Sequence, residues 1–179
     1  MILDIILIVT AVIAFGIAGV VVFAATRPNH FRVERSLDIN APAEKIFPVL
    51  TDLKQQRLWS PWDQMDPDMK RTYSGADRGV NAVYEWDSKK MRSAGRQEIT
   101  AMTPNEKIDI DLDFFRPFKA NNKTEFVLRP ASSGTNVTWA MSGPMPLLHR
   151  IMGFIFCSDK MVAREFDKGL VQLKAIAEK

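Results

Sequence analysis

Through most of this chain, apolar and polar side chains change places at every second position. FRVERSLDI (31–39) sets the pattern. It returns in MKRTYSG (69–75), GVNAVYEWDS (79–88), GRQEITAM (95–102), EKIDIDLDFF (106–115), KTEFVLRP (123–130) and GTNVTWAMSG (134–143). A period of two marks strands with one buried and one wet face. Turn signals punctuate them at Gly75 to Gly79, Ser93 to Gly95, Pro104-Asn105, Asn121-Asn122 and Ser133-Gly134, which predicts an antiparallel meander. Two stretches keep a different rhythm. NAPAEKIFPVL (40–50) reads as a short helix, with Asn40 as its cap, Pro42 and Glu44 in its first turn, and Pro48 limiting or kinking it. The closing SDKMVAREFDKGLVQLKAIAEK repeats apolar residues at Val162, Phe166, Leu170, Leu173 and Ala177, with Ser158 as its N-cap. A helix with one apolar face must lay it on something, and the meander offers a sheet. A curved sheet around one helix encloses space that side chains either fill or line.

The front of the chain follows neither rhythm. Ile5 to Ala25 carries no charge and a single hydroxyl, Thr10. As a helix it reaches roughly 30 Å, the thickness of a bilayer's hydrocarbon core. A cleaved signal peptide would want Lys or Arg before a shorter apolar run, whereas Asp4 is the charged residue here. Residues 1–30 therefore read as a transmembrane anchor with a short linker, and residues 31–179 as one domain. Arg27, Arg32 and Arg35 follow the span and no Lys or Arg precedes it, which predicts a cytoplasmic domain.

Composition removes several classes of function. The 24 basic and 21 acidic residues are mixed along the chain and leave a net charge of +3, so no basic run follows a phosphate backbone. One cysteine, Cys157, forms no internal disulfide, and no Cys/His cluster suggests zinc. Asp109, Asp111 and Asp113 alternate with Ile108, Ile110, Leu112 and Phe114, which makes them the solvated face of a strand. A calcium loop would need glycine and a carboxylate where Phe114 and Ala120 stand. No GxSxG, HExxH or phosphate-cradling glycine loop is present.

The order of strand, two short helices, meander and long C-terminal helix, with INAPAEKIFPVLTD, WSPW, YEW, GTNVTWAMSG and REFDKGLVQLK along it, resembles the START-like superfamily. That superfamily is also called SRPBCC or helix-grip, and the likeness is to its polyketide cyclase/dehydrase-type branch over essentially all of residues 31–179. The resemblance implies an α+β helix-grip fold, here preceded by one transmembrane helix. Members bind lipids, hormones, polyketides or quinones, so the expected partner is a hydrophobic small molecule or lipid, with no cofactor.

In that architecture the loop holding Trp59 and Trp62 sits beside the cavity. Trp59 and Trp62 flank Ser60-Pro61, where proline breaks a helix and pushes the residue before it towards an extended conformation. Tyr84 and Trp86 share one face of a strand, and Phe114, Phe126, Trp139 and Met141 complete the expected lining. The alternative is a filled aromatic core. His149 and Arg150, in the apolar stretch PMPLLHRIMGFIF (144–156), are placed at a cavity mouth or on a solvent-facing helix; the stretch itself reads as a lid, a patch dipping into the bilayer, or packing under the sheet. His30 falls at the membrane interface. Two other functions stay open. A cyclase or dehydratase would need an acid or base among Tyr73, Tyr84 and Asp63, and a filled domain would regulate a membrane partner through its surface.

Overall fold

The alternating stretches pair into one sheet. In the computed structural model, which describes residues 2–26, 28–147 and 158–179, β1 (His30–Ile39) leads into α2 (Ala43–Thr51), a 3-10 turn (Gln55–Leu58) and α3 (Pro61–Met65). The meander follows as β2 (Lys70–Gly75), β3 (Ala82–Ser88), β4 (Ser93–Thr103), β5 (Lys107–Arg116), β6 (Ala120–Ala131) and β7 (Gly134–Pro144). All neighbours are antiparallel, in the order β1-β7-β6-β5-β4-β3-β2, so β1 closes on the last strand. Register shifts in β4, after Ala94 and after Ile99, bend the sheet, as an extra residue on one side of a ladder does. Ahead of this domain lies α1 (Ile2–Thr26), long and apolar enough to cross a membrane, with its large apolar side chains exposed.

The final helix, α4 (Ser158–Ala177), lays Phe166, Leu170, Leu173 and Ala177 on the concave face of the sheet, each at most 5% exposed. Each large one contributes about 1.5–3 kcal/mol by leaving water. Polar ties set its position: Lys174 donates to the carbonyl of Asp38, Glu178 accepts from the backbone N–H of Asn40, and Gln64 on α3 exchanges two amide hydrogen bonds with Gln172. Gly169 gives the closest approach, since a Cβ there would stand 2.7 Å from the Trp139 ring and 3.2 Å from Pro61.

Four local readings change. Asn40 does not cap α2: Ala41 and Pro42 intervene, Pro42 occupies the cap position without a side-chain bond, and Asn40 meets Glu178 instead. Pro48 lies inside α2 without ending it, and the helix runs on to Thr51, whose hydroxyl bonds the carbonyl of Phe47. Pro61 opens α3 rather than breaking a helix, because the first helical position needs no N–H. Ser93 to Gly95 and Asn121-Asn122, read as turns, lie within β4 and β6. They serve close packing: the Trp86 ring lies over Gly95, and the Asn122 side chain lies against Gly143.

A Cβ at Gly95 would enter both the Trp86 ring and the Asp113 carbonyl. Gly95→Ala is therefore expected to cost about 1–3 kcal/mol, read as a lowered thermal midpoint. An unchanged midpoint would mean that the indole swings aside freely.

Candidate functional site

Space remains between sheet and helix. The concave face of β3 to β7, the segment from α2 to α3, and the first turns of α4 enclose a cavity of about 400 Å³. Trp59, Trp62, Tyr84, Trp86, Phe114, Phe126, Trp139 and Met141 all stand in its wall. The period-two pattern accounts for the strand residues: Ile110, Leu112 and Phe114 point inward, while Asp109, Asp111 and Asp113 point out to Lys107, Lys123 and Asn121.

The bend at Ser60-Pro61 explains the paired indoles. Ser60 is extended (φ −73°, ψ 122°) and Pro61 starts a helix at once, so the chain turns between Trp59 and Trp62. Both rings then meet Trp139 edge-on, at centroid distances of 5.3 and 5.6 Å. Trp139 in turn stacks on Phe166 of α4 at 4.2 Å, and Phe126 closes the cluster. Trp86 packs edge-on against Phe114 and donates its indole N–H to Ser93. Part of the aromatic set is thus core and part is free wall: Trp59 and Trp139 are buried, whereas Trp62 and Trp86 are half-buried.

Polar groups in the wall fall into two kinds. The first kind is tied off. Asp63 is buried, and its Oδ1 accepts from the Tyr84 hydroxyl and from Arg71 Nε, each at 3.0 Å. The rest of the Arg71 guanidinium donates to the carbonyls of Asp63, Pro67, Met69 and Asp66. Burial, followed by the neighbouring Asp63 charge, drives the Tyr84 phenol far above its ordinary value, so it remains a hydrogen-bond donor. Gln56 and Gln97 pair with each other across the wall. The second kind is unpaired: Trp59 Nε1, Trp139 Nε1, Ser60 Oγ and Glu165 Oε2 have no hydrogen-bond partner among the described residues.

Of the acid and base candidates, Asp63 and Tyr84 reach the cavity wall and Tyr73 does not. Tyr73 stacks on Tyr84 at 5.2 Å but borders a surface depression with Lys54 and Arg57. His149 and Arg150 lie outside the described residues, as do Cys157 and the 144–156 stretch from residue 148 onward. The N-cap reading of Ser158 also concerns a side chain outside them. Sequence reasoning missed Glu165 and a set of methionines. Met65, Met69, Met91 and Met161 reach the wall beside the expected Met141, and Met161 and Met65 are exposed enough to mark its open end. Flexible thioethers there suit a wall that adapts to its contents.

An antiparallel sheet gripping one long helix, with an aromatic cavity between them, defines the helix-grip class of α+β domains. Residues 30–178 match the family described as polyketide cyclase/dehydrase and lipid transport, and the chain belongs to that family. No curated protein matches the chain. Among solved structures it is similar to protein CV1439 from Chromobacterium violaceum, at 19% identity and a TM-score of 0.58, over 86% of this chain and 99% of that one. It is also similar to DynU16, a protein of the dynemicin biosynthetic locus (14%, TM-score 0.56, 86% of this chain and 48% of that one). A third is StfQ, a di-domain ARO/CYC protein of the steffimycin biosynthetic pathway (14%, TM-score 0.59, 83% and 51%). At such identities the likeness is one of fold.

Proposed function

We propose that this domain binds a hydrophobic small molecule or lipid in the cavity, and that α1 holds it at a membrane with residues 30 onward on the cytoplasmic side. One observation carries the binding reading: a cavity of about 400 Å³ persists inside a wall of aromatic rings and thioethers. Apolar ligand surface entering it gains about 25 cal/mol per Å² before ordering costs. The family membership supports the same reading. For the anchor, the support is the length and apolar character of α1; for the orientation, it is the arginines at 27, 32 and 35. Since α1 ends at Thr26 and β1 begins at His30, the short tether keeps the cavity close to membrane-dissolved ligand.

A cyclase or dehydratase would need a free acid or base facing its substrate. Asp63 and Tyr84 are bonded to each other, and Asp63 to Arg71, which suits a structural clasp better than proton transfer. For these two candidates the geometry favours binding; Glu165, the other carboxylate of the wall, is paired with Lys168 through one oxygen.

The test is titration of the full chain in lipid nanodiscs with N-phenyl-1-naphthylamine, with empty nanodiscs subtracted. A saturable one-to-one fluorescence rise is expected. Trp86→Ala removes a half-buried part of the wall and, in a variant that still folds, is expected to weaken binding about tenfold. No rise above empty nanodiscs, or equal affinity in a folded Trp86→Ala variant, would refute the reading. Protection of a cysteine introduced at Asp77 from a membrane-impermeant label in intact cells is expected from the orientation.

A further inference from the structure

Glu165 does not belong in an apolar cavity without a reason. It sits on α4 between Val162 and Phe166, is 7% exposed, and stands in the cavity wall. Its Oε1 accepts from Lys168 Nζ at 2.8 Å, an ion pair one turn along the helix. Its Oε2 is buried and has no partner among the described residues. Leaving a buried carboxylate oxygen unpaired is costly, more so than for a neutral acceptor. The other buried polar atoms of the wall without a partner among the described residues are two donors, the indole N–H groups of Trp59 and Trp139, and the Ser60 hydroxyl, which donates or accepts. Turned toward the space, the flexible Glu165 side chain offers an entering molecule an acceptor in need of a donor, in a wall that also holds buried donors in need of an acceptor.

Resting on the ligand-binding reading above, we propose that Glu165 is the selectivity group of the cavity. Its Oε2 accepts a hydrogen bond from an uncharged, hydroxyl-bearing apolar ligand and shuts out ligands that carry a carboxylate. A hydroxyl serves both kinds of unpaired atom, since it donates through its proton and accepts through its lone pairs. Hydrocarbon alone leaves the carboxylate unsatisfied. A fatty acid or other carboxylate brings a second negative charge into a low-dielectric site, where repulsion and desolvation act together. Lys168 does not relieve this, because it holds the other oxygen and its own side chain is half exposed.

The test compares 2-naphthol, naphthalene and 2-naphthoate at neutral pH, three probes with one ring system and different polar groups. Each is titrated calorimetrically into the full chain in nanodiscs, with empty nanodiscs subtracted. Naphthol is expected to bind about tenfold more tightly than naphthalene, and naphthoate more weakly than both, because a hydrogen bond to a charged partner is involved. In Glu165→Gln the side chain keeps its shape and loses its charge, so naphthoate is expected to gain about tenfold and the advantage of naphthol to shrink. Naphthoate binding as well as naphthol to the wild-type protein overturns the role of Glu165 while leaving the cavity reading intact. So do unchanged affinity ratios among the three probes in a folded Glu165→Gln variant. Absence of binding by all three, naphthalene included, overturns the cavity reading and this inference with it.

Discussion

Replacing Trp139 by alanine is expected to destabilise the domain by about 3–5 kcal/mol, the range for deleting a large aromatic from a packed core. Trp139 is 5% exposed and makes ring contacts with Trp59, Trp62, Phe126 and Phe166, so it is where the sheet, the α2–α3 segment and α4 meet. Its stack on Phe166 is the closest ring contact in the cluster, and Gly169 lacks a side chain where that indole lies. No smaller residue spans the same gap, and the space left adjoins an existing cavity rather than collapsing. Chemical denaturation monitored by circular dichroism reads the loss. A cost below about 1 kcal/mol would mean that the cluster closes around the vacancy and that Trp139 is wall rather than keystone.

Asp63→Ala is expected to cost about 3 kcal/mol, the lower end for breaking a buried ion pair by removing one partner. The carboxylate is 3% exposed and joins α3 to β2 through Arg71 and to β3 through Tyr84. Without it, the Tyr84 hydroxyl loses its acceptor and the Arg71 charge keeps only backbone carbonyls around it. Those carbonyls moderate the loss. Asp63→Asn, which retains an acceptor for Tyr84, is expected to lose less. The comparison separates the hydrogen bond from the charge, and equal destabilisation by the two variants would assign the whole effect to the ion pair with Arg71.

The strands were legible because one face of each is buried and the other wet, and a period of two reports that directly. The same logic aimed Tyr84, Trp86, Phe114, Phe126, Trp139 and Met141 at one side of the sheet. Gly95 and Asn122 misled because glycine and asparagine mark turns by their freedom of backbone, whereas here their small or polar side chains permit close approach across strands. Glu165 left a signal that passed unread. It lies three residues after Val162 and four before Gly169, on the stripe of α4 that faces inward, so a carboxylate there had to be buried. The methionines left none, because Met65, Met91 and Met161 come together only when α3, the turn after β3 and the start of α4 are brought to one end of the cavity. Nor does any local spacing announce that Asp63 meets both Arg71 and Tyr84.

Whether the space behind Trp62 and Trp86 holds an apolar molecule is read by native mass spectrometry of the full chain, released from detergent after purification. A one-to-one adduct of a small apolar molecule is expected, retained by the wild-type protein, depleted in Trp86→Ala, and recovered by organic extraction for identification. A bare mass for the wild-type protein, with no adduct formed when N-phenyl-1-naphthylamine is supplied in excess, would contradict the binding reading.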